Sequence, residues 1–219
     1  MNVLQQVKFL VKKEIVLEWR SKYALNGILL YVVSTIFVCY LSFRKVDPLT
    51  WNALFWIIML FASVNAIAKS FLQENRGRQL YYYSITSAQA IIISKIIYNV
   101  FLMLLLAVIA IAFYTLVFSN PVGDMFYYLL SVLIGSVSFA SVFTMISGIA
   151  SKASNSGALM AILSFPVIIP LLMVLIKFSK NAMDGLDRSV SYNEMGVLLA
   201  INVVVVTVSL LLFPYLWKD

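Results

Sequence analysis

The stretch AQAIIISKIIYNVFLMLLLAVIAIAFYTLVF, residues 88–118, decides the fold. It is 31 residues long, and Ser94, Lys95 and Asn99 are its chief polar interruptions. An α-helix rises about 1.5 Å per residue and needs about 20 apolar residues to cross the hydrocarbon core of a bilayer. This run is therefore long enough to span a membrane with turns to spare, and the surplus is expected at its start, around Lys95.

Similar runs flank it. Upstream, residues 24–43 and 51–68 form two apolar segments separated by a turn containing Arg44, Lys45, Asp47 and Pro48. Downstream, SNPVGD (119–124) supplies a Pro-Val-Gly turn, and Phe126, Tyr127 and Tyr128 supply an aromatic belt for a fourth span ending near Gly148. The polar loop SKASNSG (151–157), a fifth span at 158–176, a loop at 177–194 and a sixth span at 196–216 complete the chain. The expected fold is all-α: one polytopic membrane domain over 1–219 with six transmembrane helices.

Composition agrees with this reading. Of 219 residues 63% are hydrophobic and 11% charged, and the mean hydropathy is +0.97, which excludes an ordinary soluble domain. Six spans would occupy roughly 120 positions, leaving no room for a catalytic domain of ordinary size. There is no histidine, and Cys39 is the single cysteine. Intrachain disulfides, zinc sites and His-ligated haem are thereby excluded from this chain alone. Neither GxxxxGK[ST] nor GxGxxG occurs, so any nucleotide must be bound by another subunit. No catalytic, cofactor-binding or metal-binding residue is expected, and the chain is not expected to be an enzyme.

The net charge of +7 is read as a topology signal and not as a nucleic-acid surface. With the N-terminus in the cytoplasm, eleven basic residues fall inside (Lys8, Lys12, Lys13, Arg20, Lys22, Lys69, Arg76, Arg78, Lys95, Lys152, Lys218) and five outside (Arg44, Lys45, Lys177, Lys180, Arg188). Both termini are thus expected in the cytoplasm. The first apolar run lacks a small-residue cleavage site and is expected to remain as a span. Residues 1–22 place Leu4, Val7, Val11 and Ile15 on one helical face and Gln5, Lys8 and Lys12 on another. They are read as an amphipathic helix lying in the interface, with Trp19, Arg20 and Lys22 among the lipid headgroups; the alternative is a straight extension of the first span.

Five features could carry function. KSFLQENRGRQLYYYSITS (69–87) puts Phe71, Glu74, Arg76, Gly77 and Arg78 on the cytoplasmic side, and Ser84, Thr86 and Ser87 are candidate N-caps for the helix that follows. It is either a coupling segment that seats against a cytoplasmic ATPase or an ordinary polar loop with interfacial tyrosines. Pro166 and Pro170 lie four apart in FPVIIP, and each removes a backbone donor, so the helix should bend there as a hinge or simply tolerate them. Ser131, Gly135 and Ser138 allow another helix to approach closely. Asn65, Asn99 and Asn202 are expected to hydrogen-bond inside the bundle. Lys95 either snorkels to the cytoplasmic interface or marks a pathway.

Taken together, the basic N-terminus, six spans, Phe71–Glu74–Gly77 after the second span, Lys95 heading an apolar helix, and GALMAILSFPVIIPLLM (157–173) resemble the CcmB family, haem exporter protein B of cytochrome c maturation. The resemblance covers nearly the whole chain and is most specific over Gly157–Met173. It implies an ABC-2 type permease subunit in the cell inner membrane, paired with a second copy of itself and a CcmA-type ATPase. It further implies association with a CcmC-type haem-handling membrane protein and a CcmE-type haem chaperone. From the residues themselves, Phe71, Glu74, Arg76, Gly77 and Arg78 are expected to form the ATPase-coupling interface and Pro166 and Pro170 a hinge. Exporter of haem or another hydrophobic molecule, and non-transporting assembly scaffold, stand as alternative functions.

Overall fold

The computed structural model describes residues 2–21, 23–43, 45–68, 70–71, 86–152 and 156–218, and no β-strand occurs among them. The helices are α1 (Val3–Ser21), α2 (Tyr23–Ser42), α3 (Pro48–Ile67), α4 (Ala88–Val117), α5 (Met125–Ala150), α6 (Ser156–Met183) and α7 (Tyr192–Lys218), with a 3-10 turn at Arg188–Ser191 leading into α7. Among the described residues, five helical stretches are long and apolar enough to cross a membrane; they correspond to α3 through α7. The apolar part of α2, Asn26–Ser42, is shorter.

Helix starts follow the local chemistry. Asp47 caps α3 by accepting from the Thr50 amide at 3.2 Å, with Pro48 following it, and Asp124 caps α5 by accepting from the Tyr127 amide at 3.2 Å. Ser87 caps α4, as its place in the sequence suggests, accepting from the Ala90 amide at 3.3 Å.

The centre of the bundle is α5, which packs against α3, α4, α6 and α7. Its serines make this possible. Ser131, Ser136 and Ser138 are buried and return their hydroxyls to carbonyls of the preceding turn at 2.7–2.8 Å, so they present small, satisfied surfaces to neighbouring helices. Gly135 is needed for the closest approach: a Cβ there would stand 2.6 Å from the Trp56 ring and 3.1 Å from Leu175. The small-residue row therefore receives α3 and α6 of the same chain. Trp56 is held in turn by its indole N–H, which donates to Ser179 Oγ at 2.8 Å.

Several expectations are corrected. Residues 177–183 are not loop but the last two turns of α6. Their polar look hides a continuous buried face, Leu171, Leu175, Phe178 and Ala182, at helical spacing. Carbonyls at the end of α6 are met by the turn before α5: the amides of Gly123 and Asp124 donate to Met183 and Ala182 at 3.0 and 2.9 Å. Gly185, at φ +63°, turns the chain away, a left-handed position suited to glycine. Asn65 faces outward, and the buried asparagine of α3 is Asn52, which donates to the Ile176 carbonyl at 3.3 Å and accepts from the Tyr128 hydroxyl at 3.3 Å. Pro166 and Pro170 lie where the sequence puts them, within α6, on its exposed face beside Phe165 and Ile169.

The buried face of α1 also differs from the expected stripe. Val7 and Leu10 are buried, whereas Leu4 and Ile15 are exposed. Successive pairs, Gln6 with Ser87 and Glu14 with Lys95, advance together along α1 and α4, and farther on Tyr40 of α2 meets Phe118 just past the end of α4. α1 therefore runs beside the first turns of α4 in the same direction.

Candidate functional site

At the end of the bundle where α1 and α4 begin and α3 finishes, Lys95 is buried, 3% exposed. A lysine heading an overlong apolar helix is expected to reach for water; here it does not. Its Nζ lies 3.1 Å from Glu14 Oε1 of α1 and donates to the Ser70 carbonyl at 2.6 Å, just past α3. It also stands 5.5 Å from the centre of the Phe71 ring. A buried ammonium is tolerable only when paired and hydrogen-bonded, and both conditions are met.

The surrounding residues extend this junction. Lys13 forms a second ion pair with Glu14 at 3.0 Å. The Asn99 amide donates to Ser70 Oγ at 3.2 Å and to Thr144 Oγ1 of α5 at 2.8 Å, and Ser147 Oγ donates to the Ala68 carbonyl at 3.1 Å. On the other side, Gln6 Oε1 accepts from the Ser87 amide and hydroxyl at 3.0 and 3.1 Å, so α1 fixes the start of α4. Phe71 is 3% exposed and packs on Phe213 of α7 with ring centres 5.4 Å apart. One cluster of side chains thus joins α1, α4, α5, α7 and both described ends of the 69–87 segment.

Of the residues assigned to a coupling interface, Phe71 is turned into the bundle, where it anchors the segment's first residues. Glu74, Arg76, Gly77 and Arg78 lie outside the described residues, as does Lys69. Pro166 and Pro170 stand on α6, outside this junction. Asn99 is where the sequence places it, inside the bundle, and Asn202 donates to Ser138 Oγ at 2.7 Å. The partnership of Glu14 with Lys95 has no local signal. Its only trace in the sequence is that Glu14 follows Val7 and Leu10 at helical spacing, on the face that proves to be buried.

Among the described residues no cluster of three or more His, Cys, Asp or Glu side chains could hold a metal ion. The donor set of the junction is one carboxylate, amides, hydroxyls and carbonyls around a lysine; it can hold an internal charge and pass displacement between segments.

A bundle of long apolar helices of this kind defines a multi-pass membrane protein. The chain belongs to the CcmB family: the family's sequence model, described as CcmB protein, matches residues 5–215. It is thus a membrane component related to haem export, in a family of transport and cytochrome c biogenesis. Searches of curated proteins and of solved structures gave no match to the chain.

Proposed function

We propose that this chain is the permease subunit of an ABC transporter complex in cytochrome c biogenesis, converting conformational change in an ATPase into haem delivery through a haem chaperone. Residues 1–219 act as one transmembrane permease domain of six spans in the cell inner membrane, with both termini cytoplasmic. Its partners are a CcmA-type ATPase subunit, a second copy of itself, a CcmC-type haem-handling membrane protein and a CcmE-type chaperone. Residues 69–87 form the cytoplasmic coupling segment, α1 stands beside it at the membrane interface, and Pro166 and Pro170 serve as a hinge.

The observation that carries this reading is the pair of bonds from Lys95 Nζ, one to Glu14 and one to the Ser70 carbonyl. Ser70 opens the segment, Glu14 belongs to the N-terminal helix, and Lys95 sits on the helix that runs the depth of the bundle. A partner that moved the segment would move this lysine with it. ATP bound to that partner shifts the permease only if the two permease conformations bind the partner with different affinity, and a charge shared by three segments gives them a common point to rearrange.

The test is Lys95→Met in the assembled complex, with ATP hydrolysis and c-type cytochrome yield measured together. Intact assembly with cytochrome yield lowered at least tenfold supports transmission through this residue. Normal yield from an assembled complex contradicts it.

A further inference from the structure

The opposite end of the bundle holds a cleft that the coupling function does not use. It measures about 420 Å³ and is lined by Tyr40, Phe43, Lys45, Trp51, Phe118 and Ser119, with Val46 and Val117. Its volume falls in the range of sites that hold small organic ligands, roughly 300–1,000 Å³. Tyr40 and Phe43 are partly exposed, Trp51 is 1% exposed and Phe118 is 6% exposed, so the aromatic wall runs from the surface into the core.

Two residues lining this cleft carry polar groups without a protein partner among the described residues. Lys45 is exposed and has no ion-pair partner among the described residues. The Trp51 indole N–H is buried and has no acceptor. That is unusual for a buried donor, because an unmade hydrogen bond in the interior carries the full desolvation penalty. The neighbouring polar groups do not supply one: the Tyr114 hydroxyl donates to the Trp51 carbonyl at 2.9 Å, and the Tyr128 hydroxyl is committed to Asn52. A cation and an orphaned donor along one aromatic wall, where apolar helices end, ask for a ligand with an oxyanion attached to an apolar body.

We infer that this cleft binds the headgroup of an anionic phospholipid, its phosphate paired with Lys45, its oxygens or their bound water accepting from Trp51, and its glycerol and acyl portion against Tyr40, Phe43 and Phe118. The site rests on the membrane-spanning reading of the fold but not on coupling to an ATPase, so either can fail without the other.

The full chain, purified in a neutral detergent, is titrated with phosphatidylglycerol, phosphatidylcholine or inorganic phosphate, and bound adducts are counted by native mass spectrometry. Phosphatidylglycerol should bind in preference to phosphatidylcholine. Lys45→Gln, a change on an exposed loop, should weaken it about tenfold, the loss expected for one charge-assisted hydrogen bond. Trp51→Phe, checked for unchanged helical content, should weaken it by a smaller factor of about three. Equal binding of the two lipids, full retention by Lys45→Gln, or equivalent binding of inorganic phosphate alone would overturn the proposal.

Discussion

Glu14 of the N-terminal helix and Lys95 of α4 form a 3.1 Å ion pair in which neither side chain is more than slightly exposed. The pair fixes the rotation of α1, because the helix must turn Glu14 inward to reach a lysine that cannot be left alone. Removing one partner should therefore be worse than exchanging both. Glu14→Gln removes the carboxylate beside a buried ammonium and is expected to lower stability by about 3 kcal/mol, the scale for breaking a buried pair. The Glu14→Lys, Lys95→Glu exchange should recover part of that loss, which thermal unfolding of the purified protein in detergent would measure.

Gly135 has no room for a side chain. Gly135→Val should reduce stability by about 1–3 kcal/mol, as overpacking does, because a Cβ would enter the Trp56 ring. Trp56→Phe removes the ring atoms in the way but also breaks the bond to Ser179. The two substitutions in one chain should consequently destabilise less than the total of their separate effects, and unfolding data from the four proteins would reveal it.

Asn52 is fully buried between α5 and α6. Asn52→Ala leaves the buried Tyr128 hydroxyl without its acceptor. A loss of about 1–3 kcal/mol follows, with Tyr128→Phe milder because it deletes the donor as well as its need. The same unfolding measurement ranks them.

Asp124, in the turn before α5, has its carboxyl held below the usual range, first by the Tyr127 amide and then by the Arg188 guanidinium, whose Nε donates at 3.0 Å. A folded-state value below the unfolded one gives a contribution fully present at neutral pH and lost as pH falls through the carboxylate range. Unfolding midpoints followed from pH 7 downward should show an acid limb that flattens in Asp124→Asn. An unchanged limb would assign acid sensitivity to other groups.

The long helices were legible because hydropathy over a bilayer's length needs no knowledge of neighbours. Residues 88–118 marked α4 to within a residue, and Ser87 marked its cap. Facing was less legible. Asn65 and Asn52 look alike in an apolar run, yet only Asn52 meets Tyr128, a residue of another helix. The polar letters of 177–183 read as loop because Phe178, Ser179 and Ala182 are held by α3 and the core, partners that composition cannot show. The inward turn of Glu14 depended on Lys95, far along the chain. Glu74, Arg76, Gly77 and Arg78, expected from the sequence to couple, lie outside the described residues, whereas Phe71 packs on Phe213.

The central claim is that 69–87 carries the motion of an ATPase into this bundle. Its most direct test is charge reversal of Glu74, Arg76 and Arg78 together, in the assembled complex, with ATP hydrolysis and c-type cytochrome yield read side by side. The account predicts that ATP hydrolysis and cytochrome maturation become uncoupled, with maturation falling at least tenfold while the permease stays folded in the membrane. Unchanged ATPase binding together with unchanged cytochrome yield would contradict it.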